Sequence, residues 1–253
     1  MARGAGRGGG DPLGGGGRGV TDGVDTIDAM AERRSDDRAS TTDAVAQTDE
    51  QGRGQGGEDF ERLRSGALEC TACRLCETRT QVVFGMGDPQ ADLMFVGEGP
   101  GAEEDRQGLP FVGRSGKLLD RLMQEEMGLT RETAYIANVV KCRPPENRDP
   151  RPDEIAACRP YLEAQIRMID PAVVVTLGNF SSKLLLDTTT GITRLRGRAY
   201  RWGDRVLVPT LHPAAVLRGG GSAMSDVRAD LVRAKAAASG GLLDLTDASV
   251  VAR

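Results

Sequence analysis

The sequence predicts an α/β fold in which helices cover both faces of a mostly parallel sheet. Short apolar runs without polar alternation mark strands buried on both sides. Segments of helical periodicity stand between them, the order that builds a parallel sheet. The chemically unusual residues also gather in loops that directly follow strands, where open α/β sheets place their sites.

Taken in order, residues 60–69 read as a short helix that runs into Cys70. Residues 93–97 (LMFVG) are an apolar run closed by glycine and form the first strand. Residues 116–127 carry Leu118, Leu119 and Leu122 at helical spacing. Residues 135–140 are the second strand. Residues 152–168 form a helix, with Pro152 at its start and Ile155, Leu162 and Ile166 on one face. A third strand (173–177), a helix (180–186), a fourth strand (206–208) and a last helix (225–237) complete the pattern. The predicted architecture is therefore three-layered, α/β/α, around a central four-stranded, mostly parallel sheet. Three loops leave its strands, at residues 98–113, 141–153 and 210–218.

The 253 residues are 39% hydrophobic and 28% charged, enough for one good-sized domain with extensions. The domain is expected over residues 58–238. Residues 1–57 are rich in Gly, Asp, Thr and Arg and nearly lack large apolar side chains. Such a segment buries too little surface to offset its ordering entropy, so a disordered tail is expected there. Residues 239–253 are expected to be a short C-terminal tail. No apolar stretch follows the first arginines as a secretory signal requires, and none reaches the roughly 18 residues of a membrane span. A soluble, cytoplasmic monomer that does not engage a membrane is the expectation.

The net charge of -4 argues against a nucleic-acid partner only until it is divided. Through Asp59 the chain holds 7 Arg, no Lys and 12 acidic residues, whereas the remainder holds 26 basic and 25 acidic residues. The body is near neutral, so local clusters decide.

Cys70, Cys73 and Cys76 form C-x2-C-x2-C, and Cys142 and Cys158 follow much later. A disulfide framework is out of place in a chain without an export signal. Convergence on a four-thiolate metal site is the sharper reading and five separate buried thiols the blander one. Zinc and iron–sulfur clusters both use four cysteines, so spacing leaves the metal open and one cysteine spare.

Gly97-Glu98-Gly99-Pro100-Gly101 follows the first strand, where glycines let the backbone turn sharply and approach a ligand. It matches neither a P-loop nor G-x-G-x-x-G. Phe111, between Pro110 and Gly113, is either core or a flat platform for a base. His212, the only histidine, sits just past the fourth strand and before Pro213. If neutral, its N–H donates to an oxygen that gains charge during reaction. Residues 193–205 (TRLRGRAYRWGDR) carry five arginines with Tyr200 and Trp202 between them, and Lys141, Arg143 and Arg148 add a second basic loop. A solvated face is the ordinary reading of such runs; phosphate contact is the other.

Together these motifs resemble the family 4 uracil-DNA glycosylases. The resemblance rests on ECTACRLC (69–76), GEGPGAEEDRQGLPFVGRSG (97–116), YIANVVKCRPPENRDPRPDEIAAC (135–158) and LHPAAVLR (211–218). It runs from about residue 60 to about residue 235. It implies an α/β/α fold with a four-stranded parallel sheet and an N-terminal segment tethered by a [4Fe-4S] cluster. Cys70, Cys73, Cys142 and Cys158 match the cluster ligands, leaving Cys76 spare. Phe111 matches the aromatic that stacks on flipped uracil, and Asn138 the amide that reads its edge. Glu98, Gly99 and Pro100 belong to the pocket and water-activating motif. Glu104 resembles the residue that crowds the base C5 position. Asn147 assists catalysis, and His212 steadies the departing uracil. Arg143, Arg148, Arg196, Arg198 and Arg218 are the expected DNA contacts.

The implied partner is uracil-containing DNA, single- or double-stranded, with the N-terminal tail a further contact for a repair or replication protein. Uracil-trapping relatives carry a histidine in the loop after the second strand. Residues 143–150 read RPPENRDP and lack one, which implies turnover. A non-turnover uracil-binding protein and a zinc-bound structural protein are the rival readings.

Overall fold

The computed structural model describes residues 49–241 and 244–252. The strands are β1 (Met86–Gly87), β2 (Leu93–Gly97), β3 (Tyr135–Asn138), β4 (Val173–Leu177), β5 (Ala199–Trp202), β6 (Arg205–Thr210) and β7 (Leu245–Asp247). They form one sheet in the order β1-β3-β2-β4-β6-β5-β7. Every residue of β2, β3 and β4 is buried, which is why their sequences are continuous apolar runs. β3, β2, β4 and β6 run parallel, β1 and β5 pair antiparallel with their neighbours β3 and β6, and β7 runs parallel to β5.

The helices are α1 (Asp49–Leu68), α2 (Ala102–Gln107), α3 (Arg114–Leu122), α4 (Pro152–Ile169), α5 (Asn179–Leu185), α6 (Ile192–Leu195), α7 (Pro213–Gly219) and α8 (Gly221–Ala238). Alternate strand residues face opposite sides of the sheet. Met94, Val96, Ala137 and Val174 pack with Phe60 of α1, Leu162 and Ile166 of α4 and Leu185 of α5. Leu93, Phe95, Ile136 and Val175 pack with Leu118 and Leu122 of α3, Val216 of α7 and Leu231 of α8. Helices thus cover both faces. No helix among the described residues is long and apolar enough to cross a membrane.

The sheet is wider than the four strands that the sequence predicts. β1 and β7 span 2 and 3 residues, too short for a periodic signal, and the four residues of β5 lie in an arginine-rich run with only Ala199 and Tyr200 buried. β7 also brings residues 245–247 of the expected C-terminal tail into the sheet. α1 begins at Asp49, ahead of the expected residue 60, because its first turns lack apolar periodicity. The expected disorder of the N-terminal tail otherwise lies outside the described residues. α2 and α7 occupy stretches expected to be loops.

Buried carboxylates pin the loops to this frame. Asp230 of α8, fully buried, accepts from Thr210 Oγ1 at 2.8 Å, from Arg196 Nε at 3.0 Å and from the Gly197 N–H at 3.0 Å. Glu154 of α4, also fully buried, takes both terminal nitrogens of Arg148 (2.6 and 2.9 Å) and the Arg151 N–H (2.8 Å). Asp105 of α2 accepts from the Thr80 N–H at 2.9 Å and so holds the segment after the cysteine run. Removing one member of such a buried pair leaves the other charge uncompensated. Asp230→Ala is expected to destabilise the fold by about 3 kcal/mol, lowering the thermal midpoint by roughly 6–12 °C. Denaturation monitored by circular dichroism checks this, and a shift within a degree or two contradicts it.

Candidate active site and cysteine cavity

The parallel register aligns the carboxyl ends of four strands. Gly97 pairs with Asn138 and Leu177 with Thr210. The loops beyond them enclose an open cleft of about 730 Å³. Its lining includes Glu98, Gly99, Pro100, Glu104, Phe111, Asn138, Asn147, Arg148, His212 and Arg218, so residues from all three sequence-predicted loops meet there.

Asn138 is 2% exposed at the end of β3, and its Oδ1 is buried without a hydrogen-bond partner. An acceptor so placed loses about 1–3 kcal/mol unless a donor reaches it. Gly97 is what brings it beside Phe111. A Cβ at Gly97 would lie 2.4 Å from Asn138 Oδ1 and 2.6 Å from Phe111 Cζ, distances no side chain tolerates. The amide and the ring therefore border the same patch of bare backbone.

Phe111 is held in an unfavourable backbone conformation, with φ of 53°. A non-glycine residue there costs about 1–3 kcal/mol and persists only where its surroundings over-determine it. Three contacts do so. Arg131 donates to the Pro110 carbonyl at 2.9 Å and to the Phe111 carbonyl, and is itself paired with Asp120 at 2.6 Å. Glu104 Oε1 accepts from the Val112 and Gly113 N–H groups, both at 2.9 Å. Gly116 opens α3 without a Cβ, which would fall 1.5 Å from the Phe111 oxygen. Arg131 carries no signal in the sequence, because its partners lie 11 to 45 residues away. Glu104, expected to crowd the base, has one carboxylate oxygen occupied by this backbone.

His212 ends β6's loop as the N-cap of α7, with its ring centroid 5.7 Å from that of Phe111 and tilted by 31°. Its Nδ1 accepts from the Ala214 N–H at 3.1 Å. In the neutral ring the proton therefore sits on Nε2. Burial, and then the Arg218 charge, push its pKa down to about 4, against the opposing pull of Glu104. His212 is thus a neutral donor at physiological pH.

Glu98 is half-buried, and its carboxyl is pushed above its ordinary value by burial and by the Asp149 charge. Asn147 is exposed at φ of 55° and accepts from Arg143 Nε at 2.8 Å. Arg143 and Arg198 lie outside the cleft lining, and Arg198 is exposed. Arg196 departs from expectation. Its side chain is 17% exposed and bound by Asp226 and Asp230, so its charge is committed to α8.

Lys141, read in the sequence as part of a basic loop open to phosphate, is instead fully buried and donates to the Asn138 carbonyl at 2.8 Å and to Gln165 Oε1 at 2.5 Å. It connects β3 to α4 directly beside Cys142. There Cys70, Cys73, Cys142 and Cys158 line one small cavity with Ala67, Val82 and Tyr161, whereas Cys76 does not line it. Arg79 Nη1 donates to Cys142 Sγ at 3.3 Å and the Lys141 N–H to Cys158 Sγ at 3.2 Å. Among the described residues no three metal-ligating side chains stand as a closed ligand group. Four soft donors around an apolar cavity, with N–H groups directed at two sulfurs, nevertheless match the chemistry of a thiolate-bound cluster.

Residues 84–234 match the family model of the Uracil DNA glycosylase superfamily. The chain is 46% identical over 168 residues to a type-4 uracil-DNA glycosylase of Sulfurisphaera tokodaii, covering 63% of this chain and 76% of that protein. It is 48% identical over 163 residues to the type-4 enzyme of Thermotoga maritima, covering 64% and 84%. A type-5 uracil-DNA glycosylase of Thermus thermophilus is 32% identical over 151 residues, covering 46% and 68%. With a family model matched over more than half of the chain and relatives at 46–48% identity, the chain belongs to the type-4 uracil-DNA glycosylases of the Uracil DNA glycosylase superfamily.

Proposed function

We propose that this protein removes uracil from DNA by hydrolysing the bond between the base and deoxyribose, the first step in repairing deaminated cytosine. The observation that supports it most directly is the buried, unpartnered Oδ1 of Asn138 beside Phe111. Uracil stacked inside DNA is out of reach, so the nucleotide is extruded at a cost of a few kcal/mol. Stacking on Phe111 offsets about 1–3 kcal/mol of that. Asn138 Oδ1 accepts from uracil N3–H, and its amide N–H donates to O4. Cytosine presents an unprotonated N3 and an amino group instead, leaving buried polar atoms unpaired at about 1–3 kcal/mol each.

As the glycosidic bond stretches, the sugar becomes cationic and the uracil anionic. His212 Nε2–H donates to the uracil oxygen that gains charge, a contact of the kind that contributes about 2.7–4 kcal/mol. A neutral imidazole suits this role because its one N–H is already fixed on Nε2 by Ala214. Glu98, whose basicity burial raises, and Asn147 are assigned to the attacking water. Glu104 keeps the Phe111 loop closed against the base, with Gly99 and Pro100 lining the pocket. Arg143, Arg148, Arg198 and Arg218 are the DNA contacts of this reading. Arg196 is withdrawn from that group.

Cys70, Cys73, Cys142 and Cys158 are the residues that would hold a [4Fe-4S] cluster. These four cysteines line one apolar cavity with N–H donors directed at two of their sulfurs, which supports the cluster reading. Bound there, the cluster supplies a crosslink between the N-terminal segment and the start of α4, since glycoside hydrolysis transfers no electrons.

Incubation with uracil-containing single-stranded DNA followed by alkali is expected to cut the strand at uracil. Asn138→Ala and His212→Ala should each lose at least about 100-fold in rate. A wild-type rate in both would remove the pocket from this cleft. The purified protein should contain iron and sulfide and absorb in the visible; stoichiometric zinc without iron contradicts the cluster.

The His212 ring, free of any other histidine signal, should hold constant NMR shifts from pH 8 down to about 5.5 and titrate near pH 4. Its folded pKa lies below the unfolded value of about 6.5. Its contribution to stability is therefore complete above that value and is lost as pH falls toward 4. A midpoint near 6.5 would mean an exposed ring.

A further inference from the structure

A second groove lies beside the active cleft, between the segment after Cys73 and the start of α4. It encloses about 370 Å³ and is lined by Arg74, Glu77, Thr78, Pro145, Arg148 and Arg151, with Leu75 at its base. Arg148 lines both the groove and the cleft, so the two adjoin at its side chain. The charge in the groove is mostly positive and mostly free. Arg148 is neutralised by Glu154, but Arg74 and Arg151 are exposed and have no ion-pair partner among the described residues. Glu77 is the single acidic side chain in the lining.

Free arginines usually mean only a solvated surface. Here their place argues for a ligand. Arg74 directly follows Cys73, Pro145 stands in the loop after Cys142, and Arg151 precedes α4, which carries Cys158. The groove is thus built from the three segments on which the cavity-lining cysteines stand. Arg148 and Arg151 are fixed from behind by the buried Glu154, which accepts from the Arg148 guanidinium and the Arg151 N–H. The Arg148 head and the Arg151 backbone are therefore held on a stiff edge beside the cleft, from which the exposed Arg151 side chain extends. Such an arrangement suits a chain of phosphates leading away from an extruded nucleotide.

We propose that Arg74 and Arg151 form a phosphate track for the DNA strand that carries the uracil, continuing from the cleft past Arg148. Neither arginine belongs to the basic loops that sequence reading selects. The inference rests on the excision reading above. It assigns the cysteine-bearing segments a direct part in gripping the strand.

The test uses single-stranded DNA carrying a 2′-fluorinated deoxyuridine, whose fluorine disfavours positive charge on the sugar and leaves the bound complex intact. Each phosphate contact to a single strand contributes about 0.7 to the slope of log affinity against log salt. Arg74→Gln/Arg151→Gln should lower that slope by about 1.4. Over a tenfold rise in salt, its affinity gap from wild type should narrow about 25-fold. Arg151→Gln alone keeps the backbone bond to Glu154 and should lower the slope by about 0.7, which guards against misfolding of the double variant. Neutral methylphosphonate linkages on one side of the uracil should weaken wild type and leave the double variant no weaker than before. An unchanged slope in both variants, with wild type still excising uracil from ordinary DNA, overturns the track alone. Failure of wild type to excise uracil overturns the reading on which it rests.

Discussion

The pairing of β2 with β3 sets Gly97 opposite Asn138, and the rest of the site is arranged around that register. A slip of one residue would turn Asn138 to the other face of the sheet. It would also remove the bare backbone over which the amide and the Phe111 ring meet. The register is secured by what lies on either face. Phe95 and Ile136 enter one core and Val96 and Ala137 the other, so a shifted strand would exchange side chains of different volume between two close-packed cores.

Around this fixed pair the loops are held by buried and half-buried charge as well as by apolar packing. Arg131 and Glu104 close on the Phe111 backbone, Glu154 on residues 148–151, and Asp230 on Thr210 at the root of the His212 loop. Buried ion pairs add little net stability, because desolvation offsets their attraction. Their directional geometry is what matters at these positions. Each fixes a loop whose own sequence has no reason to adopt one shape, including a phenylalanine at positive φ.

The same frame joins the cleft to the cysteine cavity. Asn138 and Cys142 are four residues apart, and between them Lys141 turns its ammonium group back to the Asn138 carbonyl and across to Gln165. Gln165 in turn donates to the Phe84 carbonyl and to the Tyr135 hydroxyl. The cysteine cavity and the Asn138 backbone are thus joined through one buried lysine.

The sequence alone determined the parallel core strands and the loops that build the cleft, and its resemblance to a known family singled out the four cysteines that line the cavity. Each of these is written locally, as a continuous apolar run, a glycine-rich turn or a motif long enough to identify relatives. It did not determine β1 and β7, short edge strands that demand no apolar pattern, or β5, which lies in an arginine-rich run, nor the helix that begins at Pro213. Only the tertiary structure decided that Arg131 clamps Phe111 and that Arg196, 34 residues from Asp230, is spent inside the fold. It alone left Arg74 and Arg151 free beside the cleft. The reason is physical: burial of a segment leaves a period in its own residues, whereas the partner of a charge is chosen by the fold and can lie anywhere along the chain.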